Sequence, residues 1–243
     1  MLRTLVQSLN TPRVFVFICV MAVGGALLSA APCFATFIVL SGNNPEPNEE
    51  NILLSDDSVG MMLDGTTNQS NTVVEFESPS QFLASPAMGQ ARIEARESSD
   101  IDSDQVAIDD SITVSLASPG LSFGDLIFNA FIGGGLGAGG PLTIVVNGFD
   151  SSGDPVSTTF TEDSDGDALD LDNGANFFTV VAIDGQHITS VEISPDAGSS
   201  YADLRQIRIS NIIPEPSSWL LLVFGSMVCA ARRRRSTHPL MHW

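Results

Sequence analysis

The chain reads as an all-β body between two apolar ends: a two-sheet β-sandwich, jelly-roll-like, flanked by an N-terminal signal helix and a C-terminal transmembrane helix. Three observations lead there. Apolar and polar residues alternate with period two in Ile112-Thr113-Val114-Ser115-Leu116, which turns one side of an extended strand toward a core. Turn-forming clusters recur between such runs, among them Ser118-Pro119-Gly120, Asp150-Ser151-Ser152-Gly153-Asp154 and Ser194-Pro195-Asp196. No strand-like run alternates with a long helical pattern, so a βαβ architecture is not expected.

In chain order, residues 1–35 come first. Arg3 and Arg13 precede an apolar stretch over 14–28, and small residues follow as far as Ala35. The basic start, apolar middle and Cys33-Phe34-Ala35 ending resemble a secretory signal peptide cut after Ala35. Pro32 stands where a lipoprotein motif wants a small residue, and an uncleaved signal anchor is the alternative. Residues 36–51 read as a polar linker, including a Pro45-Glu46-Pro47 triplet that no apolar run follows.

Residues 52–213 carry the sandwich. Strands are expected over 72–77, 91–96, 112–116, 121–131, 142–149, 156–161, 176–183, 188–194 and 204–209, where β-branched and aromatic residues concentrate. The glycine-rich run Gly133-Gly134-Gly135-Leu136-Gly137-Ala138-Gly139-Gly140 is expected as a flexible loop or hairpin connection. A phosphate-binding loop would need a lysine at its end, and the chain has no lysine.

Charge divides the chain sharply. All 29 acidic residues lie between Glu46 and Glu215, and six of ten arginines lie outside residues 36–213. Those residues set 28 acids against Arg92, Arg96, Arg205 and Arg208, leaving 24 negative charges. Such a body repels nucleic acid, so no nucleic-acid partner is expected, and its charge keeps an exported protein soluble. The three cysteines, Cys19, Cys33 and Cys229, all lie in the end segments. The body therefore has no disulfide, thiol nucleophile or cysteine metal site, and its stability must come from its core.

The C-terminal segment, 214–235, has three parts. Pro214-Glu215-Pro216 leads into an uncharged apolar run, and Arg232, Arg233, Arg234 and Arg235 close it, with a short tail over 236–243. As a helix, residues 217–231 would reach about 22 Å, short of the roughly 30 Å of hydrocarbon, and snorkelling arginines cover the difference. Basic residues directly after an apolar run form a stop-transfer flank, which puts both ends on the cytoplasmic side and the body outside. These three parts, in this order, resemble the PEP-CTERM sorting signal of exopolysaccharide-producing bacteria. Pro214, Glu215 and Pro216 match its triplet, 220–231 its membrane segment, and Arg232 to Arg235 its basic end. Two departures are Ile213 where valine is common and the eight residues after the arginines. The resemblance implies processing by an exosortase, a membrane-embedded cysteine protease-transpeptidase. It also implies a membrane-anchored precursor that ends at the cell surface or outside. Within the body, 147–156 and 177–209 are loosely similar to lectin-like sandwiches, which supports the fold more than any ligand.

Candidate chemistry in the body is sparse. Asp163-Ser164-Asp165-Gly166-Asp167 presents alternating carboxylates, as calcium loops do. The EF-hand register fails, since Ala168 and Gly174 stand where glycine and glutamate belong. A solvated acidic turn is the plainer reading, with calcium at Asp163, Asp165 and Asp167 as the alternative and no other cofactor expected. His187 is the sole histidine of the body and sits in a turn signal. Among 28 acids a glycosidase-like pair would arise by chance. The expectation is therefore a non-enzymatic structural, adhesive or carbohydrate-binding surface protein with extracellular polysaccharide as a partner. A secreted glycan-active enzyme and a permanently anchored membrane protein are the alternatives.

Overall fold

The computed structural model describes residues 37–55 and 58–214, and these are all-β with no helix among them. In chain order the strands are β1 (Phe37–Ser41), β2 (Glu50–Leu54), β3 (Ser58–Gly60), β4 (Met62–Thr67), β5 (Val73–Glu77), β6 (Phe82–Ser85), β7 (Gly89–Gln90), β8 (Arg92–Arg96), β9 (Gln105–Val106) and β10 (Ile112–Leu116). There follow β11 (Leu121–Ser122), β12 (Asp125–Ile132), β13 (Gly140–Phe149), β14 (Pro155–Phe160), β15 (Asp170–Leu171), β16 (Gly174–Ala182), β17 (His187–Pro195), β18 (Asp203–Ser210) and β19 (Ile213–Pro214).

The ladders form two series, every pair antiparallel. The first runs β1–β16–β12–β18–β8–β6–β3. The second runs β7–β2–β4–β5–β10–β17–β13–β14. β2 belongs to both, because Glu50 and Asn51 pair with β18 while Ile52–Leu54 pair with β4. The two layers thus join at this corner and the sandwich is partly closed like a barrel.

Alternation along the strands decides what each layer buries. In β13, Leu142, Ile144 and Val146 are buried while the residues between them are half-exposed. β16 supplies Phe178 and Val180, β17 supplies Val191 and Ile193, and β12 supplies Leu126, Phe128, Ala130 and Ile132 to one continuous core. Phe128 and Phe178 meet with ring centroids 5.5 Å apart. A core of this size holds the body without any cross-link.

Three stretches differ from their sequence-based expectation. Residues 36–51, expected as a polar linker, contribute β1 and the start of β2, so the folded body begins no later than Phe37 rather than at 52. The apolar Phe37 and Val39 are buried, which a linker would not achieve. Residues 121–131, expected as one strand, divide into β11 and β12 at Phe123-Gly124. A Cβ at Gly124 would lie 2.8 Å from Asn211 Cβ. The glycine-rich run is a connection with a tight turn at Gly133–Leu136, open at Gly134 and Gly135 as expected, but its second half is packed. A Cβ on Gly137 would come within 3.0 Å of Tyr201 Cα, and one on Gly139 within 2.6 Å of the Leu171 carbonyl oxygen. The Ala138 N–H donates to Ser200 Oγ at 2.9 Å.

Candidate functional site

Of the sorting triplet, Pro214 falls in β19, where it pairs with Leu121 while Ile213 pairs with Ser122. Glu215, Pro216, Arg232, Arg233, Arg234 and Arg235 lie outside the described residues, as does Ala35. The segments expected as signal and transmembrane helices also lie outside them.

The acidic loop at Asp163 is built as a turn. Asp163 Oδ1 accepts the N–H groups of Asp165 at 2.9 Å and Asp167 at 3.1 Å. The Asp163 N–H donates to the Asp167 carbonyl at 2.8 Å, and the Gly166 N–H to the Asp163 carbonyl at 3.1 Å. The loop at Asp150 repeats this pattern. Its Oδ1 accepts from Ser152 and Asp154, the Asp150 N–H donates to the Asp154 carbonyl, and Gly153 has the same φ of 84° as Gly166. Aspartate as turn acceptor and glycine as left-handed residue account for the shared Asp-x-x-Gly-Asp spacing. The Asp163 loop also docks on the edge of β1, since the Ser164 N–H donates to the Val39 carbonyl at 2.7 Å. The Ser41 hydroxyl and the N–H groups of Asp167 and Asp165 hold the Asp163 carboxyl below the usual range. Among the described residues no three acidic, histidine or cysteine side chains gather as a metal site. His187 opens β17 opposite Phe149 rather than standing in a turn.

Two acids and three arginines share the outside of the first layer. Asp203 stands opposite Glu94, and Arg205 opposite Arg92, on β18 and β8. Like charges directly opposite would repel, so the pairs close along and across the strands instead. Glu94 receives Arg92 at 2.6 Å and Arg96 at 3.0 Å on its two oxygens. Asp203 receives Arg92 at 3.3 Å and is gripped by Arg205 through two nitrogens. The Arg205 guanidinium also lies 3.6 Å from the Phe131 ring centroid. All four carboxylate oxygens of Glu94 and Asp203 are thus taken by guanidinium groups. This pair stabilises the sheet and has no free oxygen to present to a substrate.

Residues 42–49 lie as a strap across the middle of the same face. Thr179, Ile127 and Arg208 form one row across β16, β12 and β18. The strap is tied to both ends of that row. Thr179 Oγ1 accepts the Asn44 N–H at 3.1 Å and donates to the Gly42 carbonyl at 3.0 Å. Arg208 Nη1 donates to Glu49 Oε2 at 2.7 Å, and Arg208 Nη2 donates to Asn43 Oδ1. Ile127, in the middle of that row, is fully buried although it is not part of the core cluster. One row on, Asp125 is 1 % exposed. Ser210 Oγ donates to its Oδ2, while Oδ1 has no hydrogen-bond partner. Burial pushes the Asp125 carboxyl up to about 6 against the opposing Ser210 bond, with Glu49 and Glu46 of the strap adding to the rise.

Beside the strap is a pocket of about 220 Å³ lined by Asn43, Asn51, Gln90, Phe177, Gln206 and Arg208. Gln206 lies where β18 bulges, between its pairings with Ile127 and Asn129, and has a φ of 55°. The other non-glycine residues in that region are asparagines and one aspartate, which tolerate it; a glutamine there is strained. The strain is held from two sides. The Gln206 N–H donates to the Ala91 carbonyl at 3.0 Å, and Gln206 Oε1 accepts from Asn129 Nδ2 at 3.1 Å. Asn129, 2 % exposed, is fixed in turn because its Oδ1 accepts the Asn176 N–H at 2.9 Å. On the opposite wall, Gln90 Nε2 donates to Asn51 Oδ1 at 3.1 Å.

Compared with known proteins, the chain matches no protein-family model, no curated protein and no solved structure. The pocket residues went unnoticed in the sequence because asparagine and glutamine follow no period and carry no motif. They converge from five separate stretches only through the sheet registers and the strap.

Proposed function

We propose that this is an exported surface protein, held briefly in the membrane by a PEP-CTERM tail and released by an exosortase-like protease. Its body then acts as a structural or adhesive element at the cell surface or in the polysaccharide matrix, without enzymatic turnover. The body is a jelly-roll-like sandwich between a signal helix and a C-terminal transmembrane helix. That topology is supported by the path of the long strands. From β12 to β18, every step except the β13–β14 hairpin crosses between the two layers.

One observation carries the reading. Ile213 and Pro214 pair with Ser122 and Leu121 in the β11–β19 ladder, so the folded body reaches at least to the first residue of the triplet. In the sequence the rest of the triplet, the apolar run and the four arginines follow directly on that ladder, in the order a sorting tail would have. The reading needs no bound calcium.

The test is a pair of substitutions. Glu215→Ala is expected to leave the precursor membrane-bound and uncut, while Glu46→Ala in the internal triplet leaves processing unchanged. Intact-mass measurement of the mature protein gives the answer. A mature species that keeps Arg232 to Arg235 would establish permanent anchoring instead. Carboxylate-dependent release of sugars from a polysaccharide would make the protein a glycan-active enzyme.

A further inference from the structure

We infer that the pocket beside the strap is a binding site for one unit of a neutral saccharide. The argument runs by elimination and then by fit. No acidic residue lines the pocket, so it offers a cation no carboxylate. The one cation in it, Arg208, is already neutralised by Glu49, and the body around it has 24 excess negative charges, so an anion is repelled. Five of the six lining side chains are polar, so an apolar ligand is disfavoured. What remains is a neutral ligand rich in hydrogen-bonding groups.

Sugar hydroxyls donate and accept at once, and so does a carboxamide. The internal bonds of the pocket fix which end of each amide is free. Gln206 and Asn43 accept through their oxygens from Asn129 and Arg208, so each has its NH₂ group to offer. Asn51 accepts from Gln90 through Oδ1, which leaves Asn51 Nδ2 as donor and Gln90 Oε1 as acceptor. The side chains that carry these donors and this acceptor line a common space. Phe177, half-buried, supplies an apolar ring against which the C–H face of a sugar can lie. At about 220 Å³ the pocket is smaller than the roughly 300–1,000 Å³ of drug-sized sites and suits a single ring. The strained backbone at Gln206 agrees, since a glutamine stands where glycine would sit without strain.

This inference deepens the proposed role at the cell surface and rests on it for the supply of polysaccharide. The experiment is independent of export. Full-length protein in a sugar-free detergent is titrated with short neutral glucan, mannan and galactan oligosaccharides, with oligogalacturonate, and with a capped alanine tripeptide. Saturation-transfer NMR reads the binding. At least one neutral oligosaccharide is expected to bind with a Kd of about 1 mM or tighter. Gln206→Gly removes the donor and orphans Asn129 Nδ2 while relieving the backbone, so it should weaken binding by about tenfold or more in a protein that still melts cooperatively. Asn51→Ala should weaken binding similarly, and Glu192→Gln on the far layer should not. The inference is overturned if no neutral sugar binds, if only the uronate or the peptide binds, or if Gln206→Gly and Asn51→Ala bind as the parent does. Sugar binding by a chain whose Glu215 variant is still processed would remove the sorting reading and leave the pocket standing.

Discussion

At the scale of single residues, Asp125 is where burial and charge oppose each other most directly. Its carboxyl ionises near 3.8 in an unfolded chain and near 6 in the fold. The folded protein therefore holds the proton more tightly, and stability falls as pH rises from about 4 to about 6, then levels off. The full difference corresponds to about 3 kcal/mol. Asp125→Asn keeps an acceptor for Ser210 Oγ and removes the titration. It is expected to raise the melting temperature at pH 7 and to change it little at pH 4. Parallel melting curves for parent and variant across that interval would show that Asp125 does not carry the pH dependence. Neither Asp125 nor Gln206 stood out in the sequence. Their properties come from what the strap and the bulge do to them, and no local pattern encodes either.

Among the elements, those with clear alternation were legible from the chain alone. β10 has the expected boundaries, and β13, β16, β17 and β18 differ by a residue or two at their ends. The missed strands had weaker signals. β1 is a continuous apolar run close behind the signal segment and merges with it by composition. β4 contains Asp64 and Gly65, poor strand formers, and β6 is a four-residue strand bracketed by Pro79 and Pro86. The Asp163 loop was legible as an acidic turn, but its docking on β1 was not, because the two lie more than a hundred residues apart. Its role can be tested by substitution. Asp163→Ala should lower the melting temperature at neutral pH, whereas Asp163→Asn, which keeps the turn acceptor, should lower it less. Because the Asp163 carboxyl is held below its ordinary value, its contribution is present above about pH 4 and lost on further acidification. Equal effects of the two substitutions at pH 7 would mean that charge, not turn geometry, is what matters there.

For the molecule as a whole, the sequence revealed the net charge but not its arrangement. All four body arginines stand on β8 and β18 of the first layer. The outward side of the second layer has Asp64, Glu75, Glu77 and Glu192, with Asp64 directly opposite Glu75. Self-repulsion on that side should respond to ionic strength. Raising salt from about 0.01 M to 0.15 M shortens the screening length from about 30 Å to about 8 Å. The melting temperature is expected to rise over this range, because the arginine network is partly buried and screened less than the open acidic side. A fall would mean that attraction within the network outweighs repulsion across the second layer.

The two-residue ladder at the end of the body also has a mechanical side. Among the described residues β19 pairs with Leu121 and Ser122 alone, so a pull applied at Pro214 meets that two-residue ladder first. The next strand in line, β18, is gripped on both edges by β12 and β8. Tension applied there would peel the short ladder open at low force and free a few residues. Only then would the load reach a strand that must be sheared along its length, so this short pair would act as a sacrificial link sparing β18.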